Sequence, residues 1–470
     1  MRKTKIVCTI GPKSESLEMM EKLVLAGMNV MRMNFSHGDH EEQMKRIVNI
    51  RKINKKLGTH VATLLDTKGP EIRLGLMDGK IQFRTGDLVT VTPDEVLGTH
   101  ERFQIVCPEL FNDVQVGTKI LIDDGKMTIT VVEMLEKDMV CRVENDGILS
   151  SKKGVNVPNV VLTMPFISEK DEADIRFAAR NDLDFIAASF VRRAEDILAI
   201  RQILAEEGNF NIEIIAKIEN QEGYDNLREI LDVSDGVMVA RGDLGVEVSF
   251  QLVPSYQKNI IKVANEMGKP VITATHMLES MIHNPRPTRA EAGDVANAVL
   301  DGSDAIMLSG ETAAGDYPIE AVKTMASIAE TVEPMINYRG YIDRATQIKH
   351  RTINEAIGLA ISESCLALDN VSCVLSFTET GGTARRLCPF RPSVPLIAAT
   401  NSKHTARKMN LYWGVLPVLD QDITDDTLYD ETAQVIANQL NFPKGSTMII
   451  AAGWHAGRGN TNTMRFEEIQ

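Results

Sequence analysis

Little in this chain points to a covalent or lipid-borne scaffold. Its six cysteines, at positions 8, 107, 141, 365, 373 and 388, include no C-x-x-C pair, which removes a paired-cysteine framework and reads as a reducing, cytoplasmic setting. No apolar run approaches the ~20 residues that cross a bilayer, and the first residues lack the long apolar stretch of a secretory signal. There is no basic excess either. The 51 Lys and Arg against 65 Asp and Glu leave a formal charge of -14, which argues against a nucleic acid or an anionic membrane as the main partner. An acidic chain that handles anionic metabolites must gather its Arg and Lys locally.

What is present is ordinary globular protein, 43% hydrophobic and 25% charged, and 470 residues is enough for about three domains. Apolar runs alternate with amphipathic helical stretches. Lys5 to Ile10, Asn29 to Asn34 and Val61 to Asp66 come first; after an interruption come Phe185 to Phe190, Ile212 to Lys217, Gly236 to Ala240, Pro270 to Thr275 and Asp304 to Ser309. Eight βα units are the number that closes a parallel (β/α)8 barrel, with a doubly wound open sheet as the alternative. The interruption is rich in Val, Thr, Gly and Asp, with short alternating runs such as Leu88 to Thr92, Lys119 to Asp123 and Met127 to Val132. Asp-Gly turn signals stand at 78, 124 and 146, which predicts an inserted all-β domain. Placed at a barrel rim, it would act as a lid or as a passive decoration. From about residue 343 the strands Ser372 to Phe377, Pro395 to Ala399, Gly414 to Val418 and Thr447 to Ala451 alternate with helices as in an open α/β domain. The expected division is therefore α/β throughout the barrel, 1–70 and 168–342; an inserted β lid, 71–167; and a carboxyl-terminal α/β domain, 343–470.

Polar residues collect where the barrel strands end, the place for an active site: Arg32, Asn34 and Ser36; Asp66 and Thr67; Lys217 and Glu219; Asp243; Thr275. Lys217 and Glu219, two apart on a strand, share a face. A cation beside a carboxylate, with Asp243 one βα unit later, is what a metal-bridged phosphoryl transfer needs; a strand-end salt bridge on a solvated rim is the lesser alternative. Asn34, Ser36, Asp66 and Thr67 offer oxygens to a hard cation or cap turns. Thr275 alone would be a turn cap. In the last domain, Thr378-Glu-Thr-Gly-Gly-Thr-Ala-Arg385 follows a strand and opens a helix, a place for a phosphate. Gly453-Trp-His-Ala-Gly-Arg-Gly-Asn-Thr-Asn462 adds Trp454 and Arg458 on a glycine loop.

KIVCTIGP (5–12), NVMRMNFSHG (29–38), LDTKGPEIR (65–73), KIENQE (217–222), MVARGDLGVE (238–247), NPRPTRAEAGDVANAVLDG (284–302) and MLSGE (307–311) resemble the pyruvate kinase family in fixed order, across essentially the whole chain. The resemblance implies transfer of a phosphoryl group from phosphoenolpyruvate to ADP, giving ATP and pyruvate in glycolysis. Lys217 then resembles the lysine on the transferring group, and Glu219 and Asp243 the ligands of magnesium or manganese. The backbone at Gly242 and Asp243 would hold the substrate carboxylate, Arg32 and Arg73 would contact phosphate, and Thr275 would take part in proton delivery, with His276 where many members carry Gln. Asn34, Ser36, Asp66 and Thr67 resemble a potassium site, and Glu71 marks the potassium-dependent version. Thr378, Thr380, Gly382, Thr383, Trp454 and Arg458 resemble a sugar-phosphate effector site, with fructose 1,6-bisphosphate as its ligand. The resemblance also implies a homotetramer with Arg289 and Asp294 at a subunit contact. The expected member is of the bacterial type without an extra carboxyl-terminal domain. A barrel lyase acting on enolates would use the same Lys, Glu and Asp but no nucleotide, and a silent binding protein would have lost them.

Overall fold

A computed structural model describes residues 1–347, 352–420, 429–453 and 461–470. Eight parallel strands close a barrel: β1 (Lys5–Thr9), β2 (Val30–Asn34), β3 (Ala62–Asp66), β4 (Phe185–Ala188), β5 (Glu213–Ile218), β6 (Gly236–Ala240), β7 (Val271–Ala274) and β8 (Ala305–Leu308). Seven of the eight are buried along their whole length. A strand covered by side-chain layers within and helices without must be apolar on both faces, which is why these strands read as runs rather than alternations. Closure joins β1 to β8 with Lys5 opposite Ala305. The helices between begin at side-chain caps: Ser16 and Asp39 accept from the amides of Met19 and Glu42, and Thr288 with Glu291 forms a capping box for the helix Arg289–Asp301.

Between β3 and β4 the chain leaves the barrel to build a seven-stranded sheet running from Ile72 to Asn156, plus the pair Ile81–Phe83 and Gly147–Leu149. This insertion has its own core, with Phe83, Phe103, Val89 and Ile129 fully or almost fully buried. The turn signals were of unequal value. Gly79 and Gly125 adopt positive φ in turns, but Gly147 opens a strand opposite Phe83, where its lack of a side chain lets Met127 approach. On the outgoing side of the insertion, the amides of Lys68 and Gly69 donate to Asp171. On the returning side, Arg192 donates to the Leu162 carbonyl. The lid touches the barrel rim through Asn156 Nδ2, which donates to Glu247 Oε1 at 2.7 Å.

The carboxyl-terminal domain has five strands: β9 (Val371–Phe377), β10 (Leu396–Thr400), β11 (Val415–Leu419), β12 (Thr447–Ala452) and β13 (Thr463–Glu468). Their order is β11-β10-β9-β12-β13, parallel except for β13, which runs antiparallel at the edge. The domain packs on the end of the barrel where strands begin. Arg385, Lys408 and the Tyr412 hydroxyl converge on Glu213 at the start of β5. Arg407 pairs with Asp184, just before β4, and Arg391 with Asp304, just before β8. The opposite end of the barrel is thus left to the lid. All six cysteines are buried and none is disulfide-bonded. Among the described residues no helix is long and apolar enough to cross a membrane.

Candidate active site

Five consecutive barrel strands, β1 to β5, deliver one cluster. Lys217 Nζ at the end of β5 lies 3.0 Å from Asp66 Oδ1 on β3, 2.7 Å from Ser189 Oγ just past β4, and 3.0 Å from Glu219 Oε1. Asp66 also accepts from Arg32 Nε on β2 at 2.7 Å, and Arg32 Nη1 donates to Thr9 Oγ1 on β1 at 2.9 Å. Lys217, Asp66 and Glu219 are buried. Burial pushes the Asp66 carboxyl up, but Arg32 and Lys217 outweigh it and hold it below the usual range. Burial likewise works against the charge on Lys217, and Asp66 and Glu219 outweigh it, so its pKa is raised.

Glu219 is the exception in this balance. Burial is the largest influence on it and pushes its carboxyl up to about 8, with Lys217 opposing and Asp243 adding to the rise. One of its oxygens accepts from the Phe190 amide at 2.6 Å, while Oε1 has only the 3.0 Å ion pair with Lys217 and no further hydrogen bond. A buried carboxylate oxygen free of hydrogen bonds, beside an exposed Asp243 close enough to perturb it, fits a divalent cation. Among the described residues no group of three or more His, Cys, Asp and Glu could hold a metal, so the rest of the coordination would come from substrate and water, the usual manner of magnesium.

Asp243 belongs to the short helix Arg241–Glu247, which begins directly at the end of β6. The Gly242 amide donates to Thr275 Oγ1 at 2.8 Å. Thr275 has φ 66° and His276 φ 53°, two successive left-handed residues neither of which is glycine; each costs about 1–3 kcal/mol and must be held by its surroundings. A cavity of about 480 Å³ between lid and barrel reaches Asp243, Glu71 and Glu247. Lys217 and Glu219 do not line it.

Over residues 1–322 the chain matches the family profile of the pyruvate kinase barrel domain, and over 355–466 that of the pyruvate kinase alpha/beta domain. The chain belongs to the pyruvate kinase family. It is 51% identical to the pyruvate kinase of Staphylococcus aureus strain MRSA252 and 50% identical to that of Staphylococcus saprophyticus, in each case over all of this chain and 81% of the relative. A crystal structure of a pyruvate kinase from Cryptosporidium parvum superposes with a TM-score of 0.96 at 39% identity, covering 100% of this chain and 96% of that one.

Within this pyruvate kinase fold, the strand-end residues read from the sequence do not all meet. Arg32, Asp66, Lys217 and Glu219 form the cluster, whereas Arg73 stands on the lid, paired with Glu71 at 2.6 Å and donating to the Lys152 carbonyl. Lys68 lies 3.9 Å from the other Glu71 oxygen. Asn34 and Asp66 are register partners across β2 and β3, which sets oxygens from two strand ends side by side. Asn34 Oδ1 accepts the Ser36 amide, and Thr67 Oγ1 the Ser189 amide. In the last domain Thr378 and Thr383 are buried, and Thr383 Oγ1 accepts from Thr461 at 2.9 Å; Thr380 is exposed. Gly382 opens the helix Gly382–Leu387. Trp454 and Arg458 lie outside the described residues. Arg289 is exposed at its helix start, whereas Asp294 is engaged within its own chain by Arg241 at 2.7 Å. Sequence reasoning missed Ser189, although it ends a barrel strand as the chosen residues do. It also gave Arg241 no role, because nothing local to VARGD shows what its guanidinium reaches.

Proposed function

We propose that the cluster built on Lys217, with Arg32, Glu219 and Asp243, transfers the phosphoryl group of phosphoenolpyruvate to ADP, and that Thr275 then serves protonation of the resulting enolate to pyruvate. The observation that carries this reading is a buried lysine whose Nζ lies 3.0 Å from both Asp66 and Glu219 at the catalytic end of the barrel. Catalysis of this type is mostly positioning and charge neutralisation. Lys217 offers a fixed positive charge to the oxygens of the phosphoryl group in flight, and Arg32 a planar fork for phosphate. The substrate carboxylate would take over the Gly242 amide that Thr275 now occupies. Magnesium or manganese, held by Glu219 and Asp243, would neutralise developing charge on the enolate and phosphoryl oxygens. Potassium fits the oxygens of Asn34, Ser36, Asp66 and Thr67, and closure of the lid over the rim excludes water. A sugar phosphate, fructose 1,6-bisphosphate first, is assigned to the turn after β9, supported by its strand-turn-helix form and by Thr461, whose hydroxyl donates to Thr383 Oγ1.

The test is pyruvate formation from phosphoenolpyruvate with and without ADP, for the wild type and Lys217→Met. Pyruvate should require ADP, and the variant should lose ~10²–10³ in turnover, the loss expected for one preorganised electrostatic donor. ADP-independent pyruvate would favour the lyase reading. A variant retaining more than about a tenth of the rate would remove Lys217 from this role.

A further inference from the structure

Among the described residues, Arg241 is the one side chain that grips the backbone carbonyls of the strained turn at Thr275 from outside. Its Nε lies 3.2 Å from both the Ala274 and Thr275 carbonyls, and its Nη2 donates to the Thr275 carbonyl at 2.5 Å. The carbonyls on either side of the left-handed Thr275 backbone are therefore taken by a single planar fork. The third nitrogen, Nη1, reaches Asp294 Oδ1 at 2.7 Å and Gln257 Oε1 at 3.3 Å, anchoring the guanidinium to two helices of the barrel wall. Thr275 itself contributes only one local tie, from its hydroxyl to the Ala274 carbonyl at 2.7 Å. A β-branched residue does not stay at φ 66° unless something holds it. If the turn relaxed to the right-handed region, Oγ1 would swing away from the Gly242 amide it now accepts.

We propose that Arg241 is a positioning residue for the second half of the reaction, fixing the Thr275 hydroxyl where the enolate is protonated. The proposal rests on the role given to Thr275 above. In that step the C2–C3 π pair of the enolate forms a C3–H bond and the C2–O bond becomes the carbonyl. The proton is drawn from the hydroxyl, or from a water hydrogen-bonded to it, and is restored from solvent. Phosphoryl transfer uses Lys217 and the carboxylates instead, so the two half-reactions should separate in an Arg241 variant.

The experiment compares two rates on the full chain with magnesium and potassium: ATP formation from phosphoenolpyruvate and ADP, and exchange of the pyruvate methyl protons with D2O in the presence of ATP. Arg241→Lys keeps the charge but cannot present a fork. It should lose ~10²-fold in exchange, the scale of loss from misplacing a group by about 1 Å. ATP formation should change by less than about threefold, because transition-state contacts to the phosphoryl group are untouched. Asp294→Asn, which leaves both carbonyl contacts in place and loosens only the anchor, should show the same split at smaller size and covers the case in which Arg241→Lys fails to fold. Equal losses in both rates, or no loss in exchange, would overturn the proposal. Thr275→Ala separates the two ideas. Full exchange in that variant removes the role of Thr275 and the proposal with it, whereas lost exchange there with intact exchange in Arg241→Lys overturns the positioning role alone.

Discussion

At the scale of single residues, the site is a chain of compensations around charges that water does not reach. Asp66 would be costly alone in the barrel, and two cations make it tolerable; Lys217 would be costly alone, and two carboxylates hold it. Glu71 belongs to the same logic one step out, because it pairs with Arg73 rather than with the buried cluster. Glu71→Lys should therefore release Arg73 and place an ammonium near the proposed potassium oxygens. The rate measured against potassium in a tetramethylammonium buffer should lose most of its dependence in the variant, whereas a wild type equally fast without potassium would remove the cation site. The strand-end residues Arg32, Asp66, Lys217 and Glu219 were legible in the sequence because polar side chains closing apolar runs stand out against them. Their partners were less so. The Phe190 amide that serves Glu219 is a backbone group, aimed by a left-handed φ of 55° that no side-chain pattern announces.

At the scale of elements, β5 joins two regions that the sequence kept apart. It starts at Glu213 under Arg385, Lys408 and Tyr412, and runs straight to Lys217. Arg385 lies on the helix that follows the Thr380 turn, so an effector there would act through differential binding to states of this contact. Thr383 is the wrong place to test it, since a buried residue replaced by Glu would suffer an unsolvated charge; Thr380 is exposed. Thr380→Glu should abolish activation by fructose 1,6-bisphosphate at low phosphoenolpyruvate while sparing the rate at saturation, and an unchanged titration curve would take the site away. The barrel strands were found from sequence within a residue or two because burial on both faces leaves a continuous apolar run. The edge strand β13, carrying Met464-Arg-Phe-Glu-Glu468, escaped because one side faces solvent and its polar composition mimics a tail. Asp146-Gly does stand at the break between the strands Met139–Val143 and Gly147–Leu149, but its glycine answers close packing against Met127 rather than a positive φ.

At the scale of the whole molecule, the contact between barrel and last domain stores a titratable cost. Lys5 is fully enclosed, its Nζ donating to the Val415 carbonyl at 2.6 Å. Burial, with Arg2 adding to it, lowers its pKa to about 7. The unfolded chain holds that proton up to about 10.5, so the unfolded state binds more protons between those values and stability from this group rises with pH across that window. Below about 7 the full cost of a buried charge is present. Lys5→Met should therefore raise the melting temperature relative to wild type more at pH 6.5, below that window, than at pH 9.5, well inside it; an advantage that grew with pH would contradict the assignment. Assembly is a separate matter. Arg289→Asp should weaken the expected homotetramer, which light scattering reads directly, and intact tetramers would mark Arg289 as merely solvated.

The insertion after β3 also has a consequence for how the protein is made. A ribosome releases β1, β2 and β3 first, yet the outer edge of β1 pairs with β8 through Lys5 and Ala305. At about 5–20 residues per second the partner arrives on the order of tens of seconds later. The lid, whose sheet spans Ile72 to Asn156 and whose core adds Val157, with Val160, Leu162 and Met164 packed against it, needs nothing from the later barrel strands and can be native during that wait. The nascent polypeptide therefore carries a finished β domain hung on an open, apolar three-stranded edge, the kind of surface that recruits a chaperone or finds a neighbouring chain before the barrel can close.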